Sequence, residues 1–268
     1  MKLDNIIKDS GSVLVCGDGK IEISAICNDS RKVTPGSLFV AVRGFASDGH
    51  DYISTAVAKG ACAIVYEDAE AAARQMEGIS EEVTMVKAES SRYALAITAA
   101  NFYDNPSEKL TLVGITGTNG KTSTATILKR ILSDCGHKVG FIGTGLIESS
   151  DTIFSEKYYS MTTPDPETLY STLAKMYREG VELVVMEVSS HALAQRRTDA
   201  IAFECAVFTN LSEEHLDLHR EMEDYYKAKR KLFCRVKSAV LNVDDTAGKR
   251  IFDSLCDVKK KKKSCSRR

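Results

Sequence analysis

Thr116-Gly117-Thr118-Asn119-Gly120-Lys121-Thr122 brings together the residue types that hold a polyphosphate. Glycines let a turn present its backbone N–H groups to an anion, and a helix starting there adds the positive end of its dipole. The Lys121 ammonium can reach the β/γ-phosphates, and the Thr122 hydroxyl can ligate Mg²⁺. The apolar run 110–115 precedes the turn and a helical pattern from Ala125 to Leu132 follows it. The order is therefore strand, turn, helix. The spacing departs from the usual P-loop: Ile115 stands five residues before Gly120, and the extra glycines are Gly114 and Gly117. The bland alternative is a glycine-rich turn with a chance lysine, which leaves the flanking pattern unexplained.

Three further stretches carry chemistry-bearing side chains. The run 181–186 leads straight into Glu187, so a carboxylate stands at the end of an apolar strand, where it can bind Mg²⁺ or sit idle at a surface. His215-x-Asp217-x-His219 can be read as a transition-metal site, as one histidine serving a second Mg²⁺ or orienting phosphate, or as a helix cap and loop brace. The segment 225–233 is lysine-rich, and by itself reads as a solvated helix face.

The elements that must position these groups follow from hydrophobic periodicity. Strands are expected at 110–116, 138–143, 181–188, 203–209 and 238–243, and helices at 122–134, 166–179 and 222–234. Near-continuous apolar strands alternating with helices make an α/β protein with a mostly parallel sheet. In such sheets ligands bind beyond the carboxyl ends of the strands. Ahead of this lies a small α/β unit, residues 1–105, with strands at 21–26, 37–42, 61–66 and 83–86 and helices at 52–59, 69–76 and 91–103. Asp104-Asn105-Pro106-Ser107 breaks the chain and marks the boundary to a second domain, 106–258.

Eight scattered cysteines without a C-x-x-C pair, and no secretory signal, point to reduced thiols in the cytoplasm. No apolar run is long enough to span a bilayer, so no membrane insertion is expected. The net charge is −1, but seven cations crowd residues 259–268; setting them aside leaves an acidic body at −8. With no aromatic or amphipathic pattern, this tail reads as a disordered, solvated end rather than a nucleic-acid or membrane contact. A frameshift through an A-rich run would also produce it.

The set GTNGKT (117–122), TTPDP (162–166), EVSSHAL (187–193), FTNLSEEHLDLH (208–219) and YKAKRKLF (226–233) resembles the Mur ligases, as do NDSRKVTPGSLFVAVRG (28–44) and DGHDYI (48–53). The resemblance covers residues 1 to about 250. It implies a UDP-binding N-terminal domain, a P-loop central domain and an ATP-dependent ligase of peptidoglycan synthesis. The substrates would be UDP-N-acetylmuramoyl-L-alanyl-D-glutamate and a diamino acid, meso-diaminopimelate or L-lysine, joined through an acyl phosphate. ATP and Mg²⁺ are the implied cofactors, in a monomer without nucleic-acid partners.

Carried over residue by residue, the resemblance gives Gly117, Thr118, Asn119, Gly120, Lys121, Thr122 and Ser123 to the ATP phosphates. It gives Thr122, Glu187 and His215 to magnesium, with Lys229 as a carbamylated lysine whose added carboxylate helps place a metal. Lys121, Lys229, Glu187 and His215 form the implied catalytic set. Ser30 with Phe45, Ala46 and Ser47 would contact the uridine nucleotide. Thr162, Thr163, Ser189, Gln195 and Arg197 would bind the muramoyl-peptide, Arg197 through a bidentate grip on carboxylate. From the residues alone, Ser30 reads as a turn serine and Thr162/Thr163 as a helix cap.

The family pattern is expected to stop soon after Leu241-Asn-Val-Asp-Asp245, leaving the central sheet incomplete with an apolar edge and the C-terminal domain missing. A chain so shortened could be a non-catalytic remnant that binds nucleotide or UDP-sugar peptide. Folylpolyglutamate synthetase shares the P-loop type but not the UDP-domain-like first hundred residues, and a generic P-loop kinase leaves Glu187, His215 and Lys229 unexplained together.

Overall fold

The computed structural model describes residues 1–44, 47–79, 82–149, 153–155, 161–213, 221–256 and 261–265, with the backbone path alone for 153–155 and 261–265. The chain divides into two compact units, one of Met1–Asn105 with Pro166–Ser171, the other of Pro106–Asp165 with Thr172–Arg268.

The first unit is built on five strands, β1 (Ser12–Cys16), β2 (Ala25–Cys27), β3 (Ser37–Val40), β4 (Ala61–Tyr66) and β5 (Thr84–Ala88), in the order β1-β5-β4-β3-β2. All neighbours are parallel except β1 against β5. Alternation along β3 sends Leu38 and Val40 to one apolar cluster and Phe39 to the other, so both faces of the sheet are covered. Helices start where capping residues stand: Asp68 accepts from the N–H of Glu70 and Ala71 ahead of Ala69–Met76, and Ser90 from that of Tyr93 ahead of Ser91–Phe102.

The strand expected at 21–26 shrinks to Ala25–Cys27 because Ile21 and Ile23 pair with the N-terminal residues instead, through Leu3 N to Ile21 O and Ile23 N to Met1 O. Strand β1, between Gly11 and Gly17, is not apparent from the periodicity: Val13 and Val15 alternate correctly but face outward.

His50, fully buried, ties this unit together. Its Nδ1 meets Asp48 Oδ1 at 2.6 Å, and its Nε2 accepts the N–H groups of Glu67 and Asp68 at 3.1 and 3.2 Å. Burial alone would lift the Asp48 carboxyl, but the bonds from His50 and Arg43 win and hold it at about 2. His50→Ala leaves two half-buried N–H groups without their acceptor and a cavity where the fully buried ring stood. We expect it to cost about 2–3 kcal/mol, read as a lower urea midpoint for this unit.

The second unit carries eight strands: β6 (Thr111–Thr116), β7 (Val139–Gly143), β8 (Leu146–Glu148), β9 (Ile153–Ser155), β10 (Leu183–Glu187), β11 (Phe203–Phe208), β12 (Val236–Asn242) and β13 (Lys261–Cys265). Their order is β13-β12-β11-β6-β10-β7-β8-β9. The six strands from β13 to β7 run parallel, and β8 and β9 extend the sheet antiparallel. Strand β10 is apolar and mostly buried, as a strand covered on both faces must be. Among the described residues no helix is long and apolar enough to cross a membrane.

The C-terminal expectation needs correction. Helix Thr246–Cys256 continues the alternation, and β13 pairs in parallel with β12 from Ser238↔Lys261 to Asn242↔Cys265. Lysine side-chain charge suggested a solvated end, but strand pairing is made by backbone groups that lysine supplies as well as any residue. Among the described strands β13, Lys261–Cys265, is therefore the neighbour of β12.

Candidate active site

The glycine turn leaves the carboxyl end of β6 and enters helix Lys121–Asp134. Gly120 caps that helix at φ +82°, a left-handed conformation that suits glycine. A Cβ at Gly117 would collide with Thr209 Oγ1 and lie 3.1 Å from the backbone N and O of Asn210. Glycine is needed there because the loop after β11 packs directly on the turn.

Thr118–Ser123 line an open cavity of about 340 Å³ with Thr144, Thr162 and Glu187. Glu187, at the end of β10, is fully buried. Its Oε2 accepts from Thr122 Oγ1 at 3.0 Å and its Oε1 from Thr144 N at 3.2 Å, while Thr144 Oγ1 meets Thr162 Oγ1 at 2.9 Å. The absence of a side chain at Gly143 makes room for this carboxylate, since a Cβ there would strike Glu187 Oε1. Gly143→Ala should displace Glu187 and weaken the Mg²⁺ dependence of nucleotide binding at least tenfold, measured by titrating Mg²⁺ against a fluorescent ADP analogue.

Lys121 Nζ folds back onto the turn, donating to Gly117 O at 3.0 Å and Thr118 O at 2.8 Å. Lys229 Nζ donates to the same Gly117 carbonyl at 2.7 Å and lies 4.4 Å from the centre of the Tyr225 ring. Of the basic residues on helix Met222–Arg230, Lys227 and Arg230 are exposed but Lys229 is only 1% exposed. One turn of helix puts Lys229 on the face of Tyr225, which is the buried one. Burial, and then the charge of Lys121, pushes the Lys229 ammonium down to about 7. The reading of a uniformly solvated lysine face fails at this position.

The muramoyl-peptide candidates form a second cluster at the end of β10. Thr163 Oγ1 donates to Glu187 O at 2.9 Å and accepts from Ser189 N at 3.0 Å. Ser189 caps helix Ser190–Ala194. Arg197 is 8% exposed, and its guanidinium bonds Gln195 Oε1 twice, Thr163 O at 2.7 Å and Asp165 at 3.1 Å. In this arrangement it braces the 162–165 turn rather than holding out an open fork. The helix after that turn has Asp165 as its N-cap residue, so Thr162 and Thr163 are not its caps.

In the first unit, Ser30 is nearly buried in the turn Ser30–Lys32, and Ser47 is exposed with its carbonyl bonded to Gly44 N. Phe45, Ala46, His215, Asp217 and His219 lie outside the described residues.

The sequence reading gave no role to Thr209 and Asn210. Thr209 Oγ1 donates to Asn119 O at 2.7 Å, and Asn210 pairs with both the N–H and the C=O of Asn119 at 2.9 and 3.1 Å. Their signals were adjacency to a strand end and membership of the 208–219 segment that carries the resemblance.

A parallel sheet with a glycine turn, a lysine and a buried carboxylate at its carboxyl edge defines a P-loop nucleotide-binding α/β protein. Residues 115–267 match the Mur ligase middle domain, and residues 22–103 the catalytic domain of the Mur ligase family. The chain belongs to the Mur ligase family. The middle-domain match also corrects the expectation that the family pattern stops near residue 245.

The chain is 44% identical over 253 residues to the UDP-N-acetylmuramoyl-L-alanyl-D-glutamate–2,6-diaminopimelate ligase 1 of Clostridium acetobutylicum, covering 94% of this chain and 50% of that one. It is 45% identical over 241 residues to the ligase of the same name from Caldanaerobacter subterraneus, covering 89% and 48%. It thus spans about half the length of these relatives. Among solved structures, a UDP-N-acetylmuramoyl-L-alanyl-D-glutamate–2,6-diaminopimelate ligase aligns at TM-score 0.79 and 23% identity, over 99% of this chain and 52% of that one. The MurF ligase of Thermotoga maritima in complex with ADP aligns at TM-score 0.54 and 24% identity, over 90% and 49%.

Proposed function

We propose that this chain is the UDP-binding and ATP-binding part of a cytoplasmic ligase that joins a diamino acid to UDP-N-acetylmuramoyl-L-alanyl-D-glutamate. The observation that carries this reading is the convergence of Lys121, Thr122, Glu187 and Lys229 on one glycine turn at the carboxyl ends of β6 and β10. The names of the relatives favour 2,6-diaminopimelate over lysine as the amine.

A carboxylate is a poor electrophile, and phosphorylation makes it reactive. The terminal carboxylate oxygen of the dipeptide takes the γ-phosphoryl group, releasing ADP. The amine then attacks the acyl carbon, inorganic phosphate leaves, and the amine gives up a proton. The main obstacle is bringing two anions together, which Lys121 and the helix N-terminus ease by screening charge.

Glu187, Thr122 and Thr144 offer a carboxylate and hydroxyls, hard oxygen donors of the kind Mg²⁺ prefers when it keeps waters and substrate phosphates in its shell. Bound there, Mg²⁺ would neutralise charge on the transferring phosphoryl group.

ADP titration of the 268-residue chain with and without Mg²⁺ tests the site, and absence of binding in both would sink it. Amide formation from ATP, the UDP-linked dipeptide and either diamino acid separates a ligase from a binding remnant.

A further inference from the structure

The N–H groups of Thr118 and Asn119, both in the stretch that the resemblance gives to the ATP phosphates, have protein acceptors here. Thr118 N donates to Asn210 O at 2.9 Å, and Asn119 N to Asn210 Oδ1 at 2.9 Å. The Asn210 amide also donates to Asn119 O, so this side chain satisfies both backbone groups of one residue and its orientation is fixed. Thr118 Oγ1 accepts from Ser212 N at 3.0 Å, so the same loop grips the turn a third time.

That loop is itself anchored from β12. Asn242 Nδ2 donates to Thr209 O at 2.9 Å, and Asp245 Oδ2 accepts Leu211 N at 3.0 Å. The other oxygen of Asp245 accepts from the N–H groups of Ala247 and Gly248 at the start of helix Thr246–Cys256. A continuous set of hydrogen bonds therefore runs from that helix through the 209–212 loop to the glycine turn.

Resting on the nucleotide reading above, we propose that Asn210, anchored through Asn242 and Asp245, is a positioning residue that occupies the Thr118 and Asn119 amides and leaves the nucleotide phosphates to the N–H groups of Gly120–Ser123 and to Lys121. Asn210 does not touch phosphate. It prevents the first half of the turn from swinging toward the anion, so that the second half meets it preformed, and ordering entropy is not lost on binding.

Amide hydrogen exchange on the ¹⁵N-labelled 268-residue chain, with and without Mg²⁺–ADP, reads this directly. The Thr118 and Asn119 amides should be protected in both states, whereas those of Gly120 to Ser123 gain protection or shift only with ADP. Asn210→Ala should expose the Asn119 amide and weaken ADP binding about tenfold. Asp245→Ala, remote from the phosphates, should move the same amide by a smaller amount. If Thr118 and Asn119 exchange freely without nucleotide and become protected with it, they are phosphate donors and the inference falls while the nucleotide site stands. If ADP perturbs no amide of the turn, the nucleotide reading fails and takes this inference with it.

Discussion

Lys121→Ala should weaken ADP and ATP binding about a hundredfold, the largest loss expected from any single change in the second unit. A charge-assisted hydrogen bond to an anion contributes roughly 1.5–3 kcal/mol, and about 1.4 kcal/mol is a factor of ten. The lysine also pins the Gly117 and Thr118 carbonyls, so its removal loosens the turn it crosses. Lys121→Arg keeps the charge, but its planar fork cannot meet two adjacent carbonyls and a phosphate as a rotating ammonium does. It should recover only part of the affinity. Calorimetric titration with ADP checks both variants, and an unchanged thermal midpoint shows that the turn, not the fold, was lost. Wild-type affinity in Lys121→Ala would mean that the turn does not hold phosphate.

The elements that sequence located best are those where two local signals agree. The strand at 61–66 and the helix at 69–76 appear with those same bounds, because an uninterrupted apolar run ends just before an Asp that caps the helix. The glycine turn was legible for the same reason, as its flanking strand and helix are strongly patterned. Lys229 was not. Three cations on one short helix, Lys227, Lys229 and Arg230, look alike along the sequence, and only tertiary packing of Tyr225 and the Gly117 carbonyl singles one out. Asn210 was invisible for a related reason: an Asn after a strand has many local uses, and pairing with Asn119 depends on β11 lying beside β6. At the C-terminus composition outweighed pattern, and β13 was missed. Resemblance supplied the candidates Thr163 and Arg197, but what they touch, each other's turn and the end of β10, is a property of the fold.

Lys229 should form a carbamate, and Lys229→Met should raise stability while abolishing ligase turnover in the full-length context. A buried ammonium held at about 7 is substantially free amine near neutral pH. The amine nitrogen can attack the carbon of CO₂ and lose a proton, giving an N-carboxylate beside the glycine turn. Protein treated with ¹³C-bicarbonate at pH 8.5 should show a carbamate carbonyl resonance that disappears below about pH 6 and is absent from Lys229→Met. The stability sign is fixed by linkage. Between about pH 7 and the ordinary lysine value of 10.5 the unfolded chain holds a proton that the folded chain has released, so stability rises with pH across that window; below pH 7 the full cost of the buried charge remains. At roughly 1.4 kcal/mol per unit, that cost is at most about 4–5 kcal/mol. Lys229→Met removes the charge and keeps the apolar stem, so its thermal midpoint should exceed wild type at pH 6 and the gain should shrink as pH rises toward 9. Lys229→Ala leaves a cavity against the turn, which formate or acetate can enter to restore part of the lost turnover. A Met variant no more stable than wild type at pH 6 would show that Lys229 is not held against its charge, and would remove the reason for a carbamate there.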